Sequence, residues 1–219
     1  MVNDLYQIEE SLYQRYPGLR GISRDIQKAY EILENCYRNQ GKALICGNGG
    51  SAADADHIVG ELMKGFYYNR PLTKEQKLKF QETQSDWEHL TGNLQQALPA
   101  ISLCGHTALI TAFANDVDAG MVFAQQVYGY GKQEDVLLAL STSGNSKNVV
   151  NAVKVAKTLG MESIGITGRN GGAMKELCSL CICVPAEITA QVQEFTLPIY
   201  HTLCAMLENT FFVTKENGF

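Results

Sequence analysis

The chain has 219 residues, 45% apolar and 19% charged, a balance that suits one folded domain and excludes an intrinsically disordered one. Its formal net charge is -5 and no long lysine or arginine cluster stands out, so the electrostatic footprint of a nucleic-acid or anionic-membrane binder is missing. No uninterrupted apolar run reaches the roughly 18 residues that a membrane-spanning helix needs.

Helical periodicity runs from about Asn3 to Asn39, opened by Tyr6, Ile8, Leu12 and Tyr13. The stretch YPGLRG interrupts it, and Ile22, Ile26, Ala29, Ile32, Leu33 and Cys36 form the apolar face of a second helix, so N-terminal helices are expected over residues 1–40. KALICG then reads as a short apolar strand. It runs into GNGGSAADADHIVGE, residues 47–61. Gly47, Gly49 and Gly50 suit a tight turn or a close backbone approach. Ser51 suits an N-cap, and Ala52 to Glu61 reads as a helix. His57 and Glu61 then share a face, one turn apart.

Residues 72–98 break the rhythm that follows. They are polar and charged, hold the only tryptophan, and read as an inserted surface helix or helical hairpin. Beyond them strands and helices alternate. PAISLCG (99–105) is a strand and HTALITAFAND its helix; DVLLAL (135–140) is a strand, STSGNS a turn and KNVVNAVKVAKTLG a helix. ESIGITG is the next strand, with RNGG a turn and AMKELCSL a helix; CICVPA is the last strand, and about residues 189–212 form a closing helix. Five short apolar strands alternating with helices predict an α/β fold, a five-stranded parallel sheet covered on both faces in one domain, 1–219. Ligands in such sheets bind outside the carboxyl ends of the strands, where GNGGS and STSGNS both fall.

STSGNS (141–146) offers the hydroxyls of Ser141, Thr142, Ser143 and Ser146, a glycine for a sharp turn, and the amides of the next helix N-terminus. Hydroxyls, amides and a helix dipole together suit a phosphate monoester. The Gly-Lys-Ser/Thr ending of a nucleotide P-loop is missing, and so is the dinucleotide glycine fingerprint, so no nucleotide cofactor is expected. Gln193 and His201 lie about two turns apart on the closing helix. Two chemistries fit these residues: Glu61 as general base with His201 as general acid, or His57, Glu61, Gln193 and His201 as a site for a metal such as zinc.

The seven cysteines are an odd number, several lie in apolar stretches, and no secretory signal opens the chain. Reduced thiols in a cytoplasmic protein are expected. Cys178, Cys181 and Cys183 lack the second pair of a zinc site and read as strand cysteines.

CGNGGSAADADH, LALSTSGNSKNVV and GITGRNGG, in that order, resemble the sugar isomerase (SIS) family, and within it most the phosphoheptose isomerases. The similarity covers nearly the whole chain except residues 72–98. It implies a flavodoxin-like three-layer sandwich and an aldose–ketose isomerase that converts sedoheptulose 7-phosphate through an enediol. By the same resemblance Asn48, Gly49, Gly50 and Ser51 line the sugar site with His57 and Gln193. Asn115 and Asp116 contact substrate, and Ser141, Thr142, Ser143 and Ser146 hold the phosphate. Glu61 becomes the base and His201 the acid, with one zinc per subunit on His57, Glu61, Gln193 and His201. A homotetramer with active sites between subunits is implied too. Three features depart from that pattern: the length of the 72–98 insertion, Lys64-Gly65 in place of Gly-Arg, and Pro198 inside the closing helix. They keep open a different phosphosugar substrate, and a non-catalytic binding module is the remaining alternative.

Overall fold

The computed structural model describes residues 4–213. α1 (Leu5–Arg15), a 3-10 segment (Pro17–Ile22) and α2 (Ser23–Arg38) lead into β1 (Ala43–Cys46) and α3 (Gly50–Met63). The inserted stretch forms α4 (Lys74–Gln81) and α5 (Trp87–Asn93). β2 (Ala100–Ser102), α6 (Thr107–Phe113), α7 (Val122–Tyr130), β3 (Val136–Leu140) and α8 (Lys147–Thr158) follow. β4 (Glu162–Thr167), the short α9 (Met174–Leu177), β5 (Leu180–Cys183) and α10 (Thr189–Phe212) complete the fold.

The five strands are parallel, in the order β2-β1-β3-β4-β5. The pleat divides the apolar strand residues between two layers. Ile45, Leu138, Leu140, Ile164 and Ile182 face α1, α2, α3 and α10, whereas Leu44, Cys46, Leu137 and Ala139 face α7, α8 and α9. Both faces are covered, which is why each strand reads as a continuous apolar run rather than an alternating one. At the far edge from the turns, the buried Asp135 carboxylate accepts from the Lys42 amide (2.9 Å), the Lys42 ammonium (2.6 Å) and the Lys132 amide (2.8 Å), fixing β1 against β3. Among the described residues no helix is long and apolar enough to cross a membrane.

Most expected elements are present, with local corrections. The expected helix start at Asn3 lies outside the described residues. The insertion is a hairpin of two short helices, opened by a Thr73–Gln76 capping box; α4 buries no residue and α5 buries only Thr91. Its ends are drawn together by the antiparallel bridge between Pro71 and Gln95. The helix expected over AMKELCSL shrinks to four residues. Ser163 and Ser179 exchange amide-to-hydroxyl bonds (3.1 and 3.2 Å), and Leu180 pairs with Ile164, so sheet pairing pulls Cys178 onward into an extended conformation. Pro198 sits at the tenth of α10's 24 residues, and the helix continues through it.

Candidate active site

The order β2-β1-β3 puts the topological switch point between β1 and β3. Cys46 pairs with Ala139, so the two chains leave the sheet at nearly the same level. The Asn48 and Asn148 side chains join the two turns through a reciprocal amide pair, 2.9 Å in each direction. Between the turns lies a cavity of about 250 Å³, lined by Asn48, Gly49, Gly50 and Ser51 on one side and Ser141, Thr142 and Ser146 on the other. Thr189 and Gln193, the first and fifth residues of α10, close it.

Local backbone chemistry builds each wall. Gly49, with φ 57°, is the N-cap of α3, and no side chain caps that helix. Ser51 is therefore not the cap expected from the sequence. It lies buried in the first turn, where a β-carbon on Gly47 would come within 2.6 Å of its carbonyl oxygen. A β-carbon on Gly50 would collide with the Gln193 amide, so that glycine admits α10 to the turn. On the other wall the Ser141 and Ser146 hydroxyls are 3.0 Å apart, and Gly144 turns the chain at φ 66°. The Gly171–Gly172 turn braces this loop: the Met174 amide donates to the Gly144 carbonyl (3.1 Å) and the Ala173 amide to Asn145 Oδ1 (2.9 Å).

A second cluster lies farther along α3, which packs side by side with α10. His57 Nε2 is 3.2 Å from Glu61 Oε1, and the Lys64 ammonium is 3.3 Å from the other carboxylate oxygen. Glu61 is only 9% exposed. The Tyr200 hydroxyl lies 2.9 Å from His57 Nδ1 and donates to Asp54 Oδ1 at 3.2 Å. The His201 ring stands edge-on to His57, with centroids 5.0 Å apart, and packs on Phe66 at 5.3 Å. Its Nε2 is buried without a hydrogen-bond partner among the described residues. Burial, followed by the nearby His57, pushes the His201 pKa below the ordinary histidine value, so near neutral pH the ring is uncharged. Burial raises the Asp54 carboxyl above its ordinary value. Asp54 and Tyr200 were not among the expected site residues. The sequence signal for Asp54 was its three-residue spacing from His57 in DADH; Tyr200 had none beyond adjacency to His201.

Not every expected residue joins these two groups. Asn115 and Asp116 sit in a π-helical turn after α6, exposed and bonded to each other (2.8 Å), away from the cavity wall. Ser143 is exposed too, and its hydroxyl accepts from the Asn145 amide (3.2 Å). Gln193 lies against Gly50, eight residues and therefore about 12 Å of helix rise from His201. Among the described residues no three His, Cys, Asp or Glu side chains converge as a metal group.

The family model described as "SIS domain" matches residues 19–97 and 91–168. The chain is 38% identical over 213 residues to a phosphoheptose isomerase of Helicobacter pylori, covering 96% of this chain and 98% of that one. It is 35% identical over 208 residues to a phosphoheptose isomerase of Aneurinibacillus thermoaerophilus, covering 95% and 90%. Among solved structures, the phosphoheptose isomerase of Neisseria gonorrhoeae superposes with a TM-score of 0.69 at 32% identity, covering 92% of this chain and 94% of that one. The one from Francisella tularensis gives 0.69 at 33% identity, covering 84% and 85%. With its parallel sheet, its switch-point cavity and these relatives, the chain belongs to the SIS domain family, in the branch of the phosphoheptose isomerases.

Proposed function

We propose that this protein is an aldose–ketose isomerase that converts sedoheptulose 7-phosphate to D-glycero-manno-heptose 7-phosphate through an enediol. The single observation that carries the catalytic reading is a nearly buried carboxylate, Glu61, beside His201, whose buried Nε2 has no partner among the described residues. The substrate phosphate is held by the Ser141, Thr142 and Ser146 hydroxyls and the N-terminal amides of α8, and the sugar lies against Asn48 to Gly50 and Gln193. Glu61 takes the proton from carbon 1 of the open-chain ketose, next to the carbonyl, and returns it at carbon 2. His201, uncharged, donates its Nε2 proton to the carbonyl oxygen as negative charge develops there, and recovers a proton from oxygen 1. Lys64, at the Glu61 carboxylate, places a positive charge beside the same developing enediolate.

For a zinc ion, two imidazoles and a carboxylate are the ordinary donor types, and the unpartnered Nε2 of His201 fits a ligand. As the alternative to proton transfer through His201 Nε2, we propose that one zinc per subunit would be held by His57, Glu61, Gln193 and His201, a set that must draw closer together than it stands among the described residues, and would polarise the substrate oxygen. Gln193 joins that set only by leaving Gly50. Elemental analysis of the purified protein checks it. A homotetramer with active sites between subunits is also proposed, supported by the exposure of Tyr6, Tyr67 and Leu197 near α1 and α10. Light scattering gives the mass. We place the protein in the cytoplasm.

The test is conversion of sedoheptulose 7-phosphate, with separation of the mass-matched products, by the native chain and by Glu61→Gln. Turnover that falls at least a thousandfold in the variant supports the assignment. Equal turnover in both moves the base elsewhere, and no turnover in the native chain, followed by turnover of another ketose phosphate, changes the substrate.

A further inference from the structure

Behind the base, away from the cavity, lies a fully buried ion pair. Arg70 Nε donates to Glu208 Oε1 at 2.8 Å, and neither side chain has any exposed surface. Arg70 follows α3 in the loop that roots the insertion; Glu208 lies on α10, seven residues or two turns beyond His201. Neither residue touches substrate in the mechanism above. Burying such a pair costs desolvation that its own attraction often only balances, and an apolar pair of the same volume commonly packs as well. A pair kept under those terms calls for a second role, and its remaining hydrogen bonds supply one.

The last four carbonyls of a helix have no partner within it. Arg70 takes up two of them at the end of α3: Nη2 donates to the Glu61 carbonyl (3.1 Å) and Nη1 to the Leu62 carbonyl (2.8 Å). The guanidinium is therefore bonded to the backbone of the base itself. Glu208 performs the complementary task. Its Oε1 accepts from the Phe66 amide (2.8 Å) and its Oε2 from the Tyr67 amide (2.7 Å). Phe66 is the residue whose ring packs on His201. The arginine also stacks on the ring of Phe212 from α10, at 4.5 Å.

We propose that Arg70 and Glu208 form a positioning clasp for the acid–base pair: Arg70 sets the backbone of Glu61, and Glu208, through Phe66, sets the ring of His201. The proposal rests on the reading of Glu61 and His201 as base and acid. The clasp also explains how an inserted hairpin is tolerated beside catalytic groups. The Arg70 carbonyl accepts from the Gln96 amide (2.7 Å), so the chain leaves and re-enters the fold at the clasp.

The experiment compares Arg70→Lys, Glu208→Gln and the apolar double variant Arg70→Met with Glu208→Leu. Each is measured for thermal unfolding, for kcat and KM with sedoheptulose 7-phosphate, and for amide hydrogen exchange of the 57–68 segment. Lysine keeps the charge but cannot reach two carbonyls and the carboxylate together. The expected result for Arg70→Lys is kcat lowered at least tenfold with KM within twofold, and exchange across 57–68 at least tenfold faster, while β3 and β4 exchange as in the native chain. The double variant guards against a single variant that fails to fold: its unfolding temperature stays within a few degrees of native, but kcat stays low. A double variant with native kcat and native exchange at 57–68 overturns the proposal, because the pair is then only filling. If the native chain does not turn over the sugar, the functional reading fails on its own, and the exchange data still decide whether the clasp holds the end of α3.

Discussion

Replacing Gly144 by alanine tests whether the second turn is a built anion cradle or a generic serine-rich loop. Gly144 has φ 66°, a region that costs an alanine roughly 1–2 kcal/mol. The added β-carbon would also strike the Gly171 carbonyl oxygen and stand 3.0 Å from Thr167 Oγ1. The first obstacle is backbone, so no rotamer change relieves it, and overpacking of that kind costs about 1–3 kcal/mol. The sum, about 2–5 kcal/mol, corresponds to a fall of roughly 4–20 °C in Tm for a chain of this size. The loop shift that relieves the clash displaces the Ser141, Thr142 and Ser146 hydroxyls. Loss of one hydrogen bond to a charged phosphate, about 1.5–3 kcal/mol, raises KM roughly tenfold to a hundredfold. Thermal unfolding by circular dichroism and steady-state kinetics read both effects. Gly129→Ala is the control: that glycine lies in α7 with nothing within 4 Å of an added β-carbon, and the change should stabilise by up to about 1 kcal/mol. A Gly144→Ala protein with native Tm and native KM would refute the account of the turn.

Other outcomes follow from single contacts. Asn148→Ala removes the amide pair that steadies Asn48 and should raise KM about threefold to tenfold with kcat within twofold; an unchanged KM shows that Asn48 needs no partner. Excising residues 74–93 and joining the ends by a short glycine-serine linker should leave a folded protein. The hairpin buries only Thr91, and its roots already meet at Pro71 and Gln95; an unfolded product would show that the hairpin carries core packing. Burial pushes the Cys36 and Cys204 thiols up to about 12. At pH 8 about one thiol in 10,000 is then ionised, so neither should alkylate while the protein is folded, and denaturant should expose both. The sign for stability follows: these thiols stay protonated in the folded chain after they ionise in the unfolded one. Stability is complete below pH 8 and falls as pH rises from about 8.5 towards 12, by up to about 1.4 kcal/mol per pH unit for each thiol. A Tm that holds steady from pH 8 to pH 10.5 contradicts the burial.

Much of the fold was legible because the strands are buried on both faces and short. KALICG, DVLLAL and ESIGITG have few alternatives to a central parallel strand, and the glycine and serine turns mark where each one ends. Where a local signal competed with sheet pairing, the sheet prevailed. Ser51 has the chemistry of an N-cap, yet Gly49 takes that place because only a glycine enters the helix cheaply at φ 57°. AMKELCSL has helical residues, yet its last three are drawn out to meet β4.

Sequence alone marked out the residue types and spacings of the chemistry: a serine-rich turn at a strand end, a histidine and a glutamate four apart, a histidine on the closing helix. These are local properties, written in the period of one element. Which of them meet was decided only by tertiary structure. The strand order brings the turns after β1 and β3 together although about 90 residues separate them, and the packing of α10 along α3 seats Gln193 at Gly50 while Tyr200 and His201 reach His57. Asn115, Asp116 and Ser143 had suitable chemistry and lie outside both groups in this chain. Arg70 and Glu208, 138 residues apart, carried no motif at all. Their pairing gives partners to the Glu61 and Leu62 carbonyls at the end of α3 and to the Phe66 and Tyr67 amides just beyond it.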